Sequence, residues 1–120
     1  MKPIDKFVAF HMAVTDMAKA KEFYVDKLGF KVTKDYRKDD DHWWVQLDLA
    51  GDGPSLNLTT FPEHMQPGTM KFYASTQDVE ATYKELKAKG IQPTSEIKDD
   101  EWGKWFGFND PEGNLWKVVQ

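Results

Sequence analysis

The apolar positions of this chain follow one programme twice. Residues 7–14, FVAFHMAV, alternate: Val8, Phe10, Met12 and Val14 fall on one side, and Phe7, Ala9, His11 and Ala13 on the other. That period of two predicts a strand. Asp16 comes next as a helix N-cap, and helix formers with Phe23, Val25 and Leu28 near one face predict a helix over Met17–Leu28. Gly29 then supplies the left-handed residue that ends it. From Met70 the order repeats: an alternating MKFYAS, a cap at Asp78, a helix over Val79–Lys89 with Tyr83, Leu86 and the stem of Lys87 near one face, and a stop at Gly90. The two stop glycines are one residue out of step, which reads as a single deletion.

Three strands are expected after each helix. In the first half they are about Lys31–Arg37, Trp43–Leu49 and Ser55–Thr60, with turns at DDD (39–41) and GDGP (51–54). In the second they are about Gln92–Ile97, Lys104–Asn109 and Leu115–Val119, with turns at KDDE and DPEG. In NDPEGN, Pro111 sets φ early in the turn and Gly113 permits the positive φ that reverses the chain. The pattern is βαβββ over residues 7–60, a Pro- and Gly-containing linker over 61–68, and βαβββ over 69–120. One domain of the α+β class is the expectation, two βαβββ modules forming a curved mixed sheet with a cleft.

Strand parity shows what the second face of that sheet carries. Trp43, Val45, Leu47 and Leu49 form the apolar set of the third strand, and His42, Trp44, Gln46 and Asp48 oppose them. Leu56 and Leu58 oppose Asn57 and Thr59; Phe72 and Ala74 oppose Lys71 and Tyr73; Trp116 and Val118 oppose Lys117. Phe106 and Phe108 are expected in the core, which turns Trp105 to the cleft or to an interface. The face collecting His11, Trp44, Gln46, Asp48, Asn57, Lys71, Tyr73, Trp105 and Lys117, with Trp102 as a further stacking group, mixes rings with a few polar groups as small-molecule pockets do.

Composition removes several alternatives. The 120 residues include no cysteine, so there is no disulfide, thiolate metal site or cysteine nucleophile. Net charge is −4 and the sixteen basic residues form no run of more than two, so nucleic acid is not an expected partner. No apolar run is long enough for a signal peptide or a membrane span, and a cytoplasmic protein is expected.

The paired modules, VTDMAKAKEFYVDKLGF after the first strand, and FGFNDPEGN near the end together resemble the vicinal oxygen chelate superfamily over about Phe7 to Val119. That superfamily includes glyoxalase I, extradiol dioxygenases, fosfomycin resistance enzymes and bleomycin resistance proteins. The resemblance implies the fold but not one chemistry, because its members share a scaffold and differ in reaction. Catalytic members hold a divalent metal on the cleft face. Carried over, their ligand positions fall on Ala9, Asn57, Lys71 and Lys117, none of them a good ligand. A displaced site from His11 and Asp48 with His42 or His64 has no supporting spacing.

EWGKWFGFNDPEGN is similar to bleomycin resistance proteins in particular, which are metal-free binders and dimers. This narrower resemblance implies a metal-free protein without a cofactor, holding a flat aromatic or drug-like ligand in a Trp-lined cleft as a homodimer. The reading leans away from catalysis; the alternative is a glyoxalase I- or dioxygenase-like metalloenzyme with a displaced metal. Lys71 and Lys117 depart from a cationic-drug binder. They bind an anion, pair with Asp48, or cover apolar surface with their stems; the sequence leaves all three open.

Overall fold

A computed structural model describes residues 3–61 and 65–120. The linker residues Pro62, Glu63 and His64 lie outside the described set. Contacts divide the chain into two compact units, residues 1–66 and 67–120.

In the first unit β1 (Ala9–Ala13) precedes α1 (Met17–Lys21), and β2 (Lys31–Asp39), β3 (His42–Asp48) and β4 (Ser55–Thr59) come after it. The sheet order is β1-β4-β3-β2, with β1 parallel to β4 and the other pairs antiparallel. The second unit repeats this with β5 (Lys71–Ser75), α2 (Val79–Ala88), β6 (Lys98–Asp100), β7 (Gly103–Asn109) and β8 (Leu115–Val119), in the order β5-β8-β7-β6. The α+β class and the paired βαβββ arrangement expected from the pattern are present, with a four-stranded mixed sheet in each unit.

Both caps act as their sequences predict. Asp16 accepts from the Lys19 backbone N–H at 3.0 Å, and Asp78 from that of Ala81 at 3.0 Å. The first helix then departs from expectation. Residues Glu22–Lys27 wind as a π-helix, in which the Leu28 N–H reaches the Phe23 carbonyl at 3.0 Å. A π turn takes in one more residue than an α turn. The extra residue between Asp16 and Gly29 is absorbed there, so the offset seen between the halves is a widened turn. The wider turn also changes what faces inward. Tyr24 is fully buried, whereas Val25 and Leu28 are only half-buried. Tyr24 packs edge-on to Phe23 and its hydroxyl meets the Met12 sulfur at 3.8 Å.

The core of the first unit is Met12, Val14, Met17, Phe23, Tyr24, Val45, Leu47, Leu56 and Leu58. That of the second is aromatic. Trp116 stacks on Phe72 at 4.4 Å and Phe108 at 6.0 Å, and Tyr83 meets Phe106 edge-on at 5.1 Å.

One strand assignment is corrected. Gln92–Ile97 makes only an isolated bridge, Pro93 to Phe108. The strand is Lys98–Asp100, within the KDDE expected as a turn. Pro93 lacks the N–H that a continuous ladder needs. Trp43, assigned to the apolar set, does face the helix side, but charged groups hold it. Its Nε1 donates to Asp35 at 2.8 Å, Arg37 lies over the ring at 4.1 Å, and Lys21 pairs with Asp35 at 2.7 Å.

The NDPEGN turn is a buried polar network. Asp110 Oδ1 accepts from the backbone N–H of Glu112 at 3.0 Å and of Asn114 at 2.8 Å, and its Oδ2 accepts from Asn114 Nδ2 at 2.8 Å. Asn114 Oδ1 accepts from the Met70 N–H at 2.8 Å, fastening the start of β5 to the turn before β8. Gly68 passes so close that a Cβ there would collide with the Glu112 carbonyl oxygen, and its φ of 78° is itself unfavourable for other residues.

Two effects on stability are expected. Asn114→Ala removes the acceptor of the Met70 N–H and one donor to Asp110 Oδ2, and lowers unfolding free energy by roughly 2–3 kcal/mol in urea titrations. Burial raises the Asp35 pKa, but the hydrogen bonds from Lys21 and Trp43 and the charges of Lys21 and Arg37 outweigh it, so the folded value lies below 3.8. A lowered carboxylate stabilises the fold above its unfolded pKa and loses that contribution as pH falls through the folded one. The wild-type advantage over Asp35→Asn is therefore full near neutral pH and shrinks below about pH 4. Urea midpoints of both proteins across that range measure it.

Candidate functional site

On the sheet face opposite the helix, the first unit assembles five of the expected residues. Pairing of β1, β4 and β3 puts His11 level with Asn57, and Asn57 level with Gln46. Trp44 lies one step along, opposite Thr59, with Tyr36 across on β2. Asp48 accepts from Ser55 Oγ at 2.5 Å. Gln46 Nε2 donates to Thr33 Oγ1 at 3.1 Å, and Asn57 Nδ2 lies 3.4 Å from His11 Nε2. Asn57 is buried and its Oδ1 has no hydrogen-bond partner among the described residues.

The second unit builds the matching face from Lys71 and Tyr73 on β5, Lys117 on β8 and Trp105 on β7. Phe106 and Phe108 are buried, so Trp105 turns away from the core as parity predicts. Its Nε1 donates to Asp100 Oδ2 at 2.9 Å, which fixes the ring plane. Lys117 Nζ lies 4.3 Å from the Trp105 ring centroid and 5.8 Å from that of Tyr73, and Lys71 Nζ lies 5.4 Å from Tyr73. Gly107, level with Lys117, contributes no side chain, and the Thr94 hydroxyl takes the space a Cβ would need.

Registers reveal an equivalence that strand parity alone misses. Asn57 pairs with Gln46 and Thr59 with Trp44; Lys117 pairs with Gly107 and Val119 with Trp105. Trp44 and Trp105 therefore occupy the same position in the two modules, as do His11 and Tyr73. Trp102 does not join them. It sits on the β6–β7 turn, 85% exposed, because its neighbour Asp100 ends β6 and accepts its backbone N–H. Asp100 itself, within the KDDE expected as a turn, is the residue that orients Trp105. Its place opposite Gly103 across a two-residue turn was the available signal.

The four metal-ligand positions implied by the resemblance lie on these faces as Ala9, Asn57, Lys71 and Lys117. Among the described residues no group of three His, Cys, Asp or Glu side chains is placed to hold a metal ion. His42 instead partners Asp39, its Nδ1 3.0 Å from the carboxylate, and this hydrogen bond holds the Asp39 carboxyl below the usual range. His64 lies outside the described residues. A groove of about 630 Å³ lies on the helix side of the first unit, lined by Ala18, Lys21, Glu22, Val25, Lys27 and Trp43 among others. It shares none of the expected site residues. No described helix is long and apolar enough to cross a membrane.

Comparison with known proteins agrees with the architecture. Residues 4–118 match the profile of the Glyoxalase/Bleomycin resistance protein/Dioxygenase superfamily. The Bacillus subtilis (strain 168) protein YetH is 31% identical, over 89% of this chain and 91% of its own. Among solved structures, TnmS3, an antibiotic binding protein from Streptomyces sp. CB03234, superposes with a TM-score of 0.88 at 30% identity, covering 100% of this chain and 98% of its own. A glyoxalase/bleomycin resistance protein from the same strain superposes with a TM-score of 0.81 at 31% identity, covering 96% of this chain and all of its own. With its two βαβββ units and a family match spanning nearly its whole length, the chain belongs to the glyoxalase/bleomycin resistance protein/dioxygenase superfamily.

Proposed function

We propose that this protein binds a small, flat, aromatic molecule without the help of a metal, and that sequestration rather than catalysis is its role. The observation that carries the reading is the equivalence of Trp44 and Trp105, one ring at the same register position on the helix-free face of each module. Rings set among a few fixed polar groups suit planar ligands, which gain from stacking and are oriented by hydrogen bonds. The replacement of metal-ligand positions by Ala9, Asn57, Lys71 and Lys117 supports the metal-free form. The full-length likeness to an antibiotic binding protein supports a drug-like ligand and a part in antibiotic resistance. A cytoplasmic location belongs to the same proposal.

A homodimer completes it. In the first unit Ile4, Phe7 and Val8 are each more than 70% exposed, and the Phe7 ring lies tilted against Phe10 with centroids 5.1 Å apart. They precede β1, an edge strand of its sheet. Exposed apolar residues beside an unpaired strand edge are covered at little cost by a second copy.

Two experiments test this. Tryptophan-fluorescence titration with planar antibiotics and aromatic metabolites is expected to show saturable quenching, weakened about tenfold by Trp44→Ala or Trp105→Ala. Silence across the panel, or tight uptake of one equivalent of Ni, Co, Zn, Mn or Fe at His11, would sink the metal-free binder. Sedimentation is expected to give a dimer at micromolar concentration that Phe7→Ser shifts towards monomer; a monomeric wild type would refute the dimer.

A further inference from the structure

The helix-free face of the first unit mixes charges: Lys31 stands level with Asp48, whose carboxylate accepts from Ser55 Oγ, and Lys34 stands level with Gln46. That of the second carries Lys71 and Lys117, and neither forms a salt bridge among the described residues. Lys98, level with Trp105 on β6, adds a third cation to the same face. Asp100, the carboxylate beside this row, is already engaged by Trp105 Nε1 and the Trp102 N–H. A chain of net charge −4 has thus gathered unpaired cations on one patch.

The geometry of the patch is graded. Asp100 fixes Trp105, and Trp105 holds the Lys117 ammonium over its ring at 4.3 Å. Lys117 and Lys71 both reach the ring of Tyr73, which is 65% exposed. Tyr73 is therefore an open platform with two ammonium groups near it and the half-buried side chains of Leu115 and Val119 on the same face. Two cations near one ring repel each other, and an anion placed between them relieves that repulsion. Apolar neighbours favour an anion that is itself largely hydrocarbon.

We infer that the ligand of this face is a planar aromatic anion, a carboxylate or phenolate, stacked on Tyr73 with its charged edge at Lys71 and Lys117. The inference rests on the aromatic-binding reading above and specifies its ligand class. Lys117 is the principal contact, because Trp105 and Asp100 preorganise it. Lysine, with its rotatable donors, meets such an edge as a point charge.

Calorimetric titration of the full chain with 2-naphthoate and with 2-naphthamide, which differ in charge and little in shape, tests this. The carboxylate is expected to bind about tenfold more tightly than the amide. That preference should weaken as salt rises, collapse towards unity in Lys117→Gln, and survive in Lys117→Arg. Equal binding of the two probes, or a preference that Lys117→Gln leaves intact, overturns the anionic class while leaving aromatic binding in place. Failure of both probes overturns it too, and the fluorescence panel then decides separately whether aromatic binding stands.

Discussion

Two side chains, Asp110 and Asn114, hold three stretches of backbone together where the second sheet begins. Asp110 closes the reversal between β7 and β8, and Asn114 carries the same network across to Met70 at the head of β5. β5 and β8 run parallel and are distant in sequence, so no tight turn can set their register. The Asn114 bridge and the Leu115-to-Met70 backbone bond at 3.0 Å do so instead. Everything on the helix-free face depends on that register. A slip of one residue would send Lys117 and Tyr73 inward and bring Trp116 and Phe72 out.

The first unit reaches the same topology by other means. Its parallel pair is aligned by Ser55 N–H to the Val8 carbonyl and Val14 N–H to that of Thr59, at 2.9 and 3.0 Å. Its helix accommodates an extra residue as a π turn and buries Tyr24 in consequence. Duplicated modules have kept their ladders while their faces diverged. Asn57 and Gln46 stand on one face where Lys117 and Gly107 stand on the other, and His11 stands where Tyr73 does. Such divergence is open to a sheet face that the core does not constrain, since only the opposite parity has to stay apolar.

Much of this was legible in the residues. Alternation placed Met12, Leu58, Phe106 and Trp116 inside and His11, Asn57, Tyr73 and Lys117 on the other face. The capping aspartates and the stop glycines marked both helices. The strand expected at Gln92–Ile97 falls later, at Lys98–Asp100, because Pro93 lacks the donor a ladder needs. Trp43 belongs to the apolar set of its strand by parity, but parity reports only the side of the sheet. It cannot report that Asp35, Lys21 and Arg37 enclose a position near the sheet edge. Trp102 lies near Trp105 in sequence, but a turn residue has no sheet parity at all.

The sequence by itself determined the repeat, the element order, the side of the sheet each strand residue takes, and the unsuitability of Ala9, Lys71 and Lys117 as metal ligands. These depend on local periodicity and side-chain chemistry, which neighbouring residues carry with them. Only tertiary structure decided that Trp44 and Trp105 are counterparts, that Asp100 orients Trp105, and that Lys117 lies between two rings. Those facts depend on register between strands far apart in the chain. Register is set by long-range hydrogen bonds and packing, which no local pattern encodes.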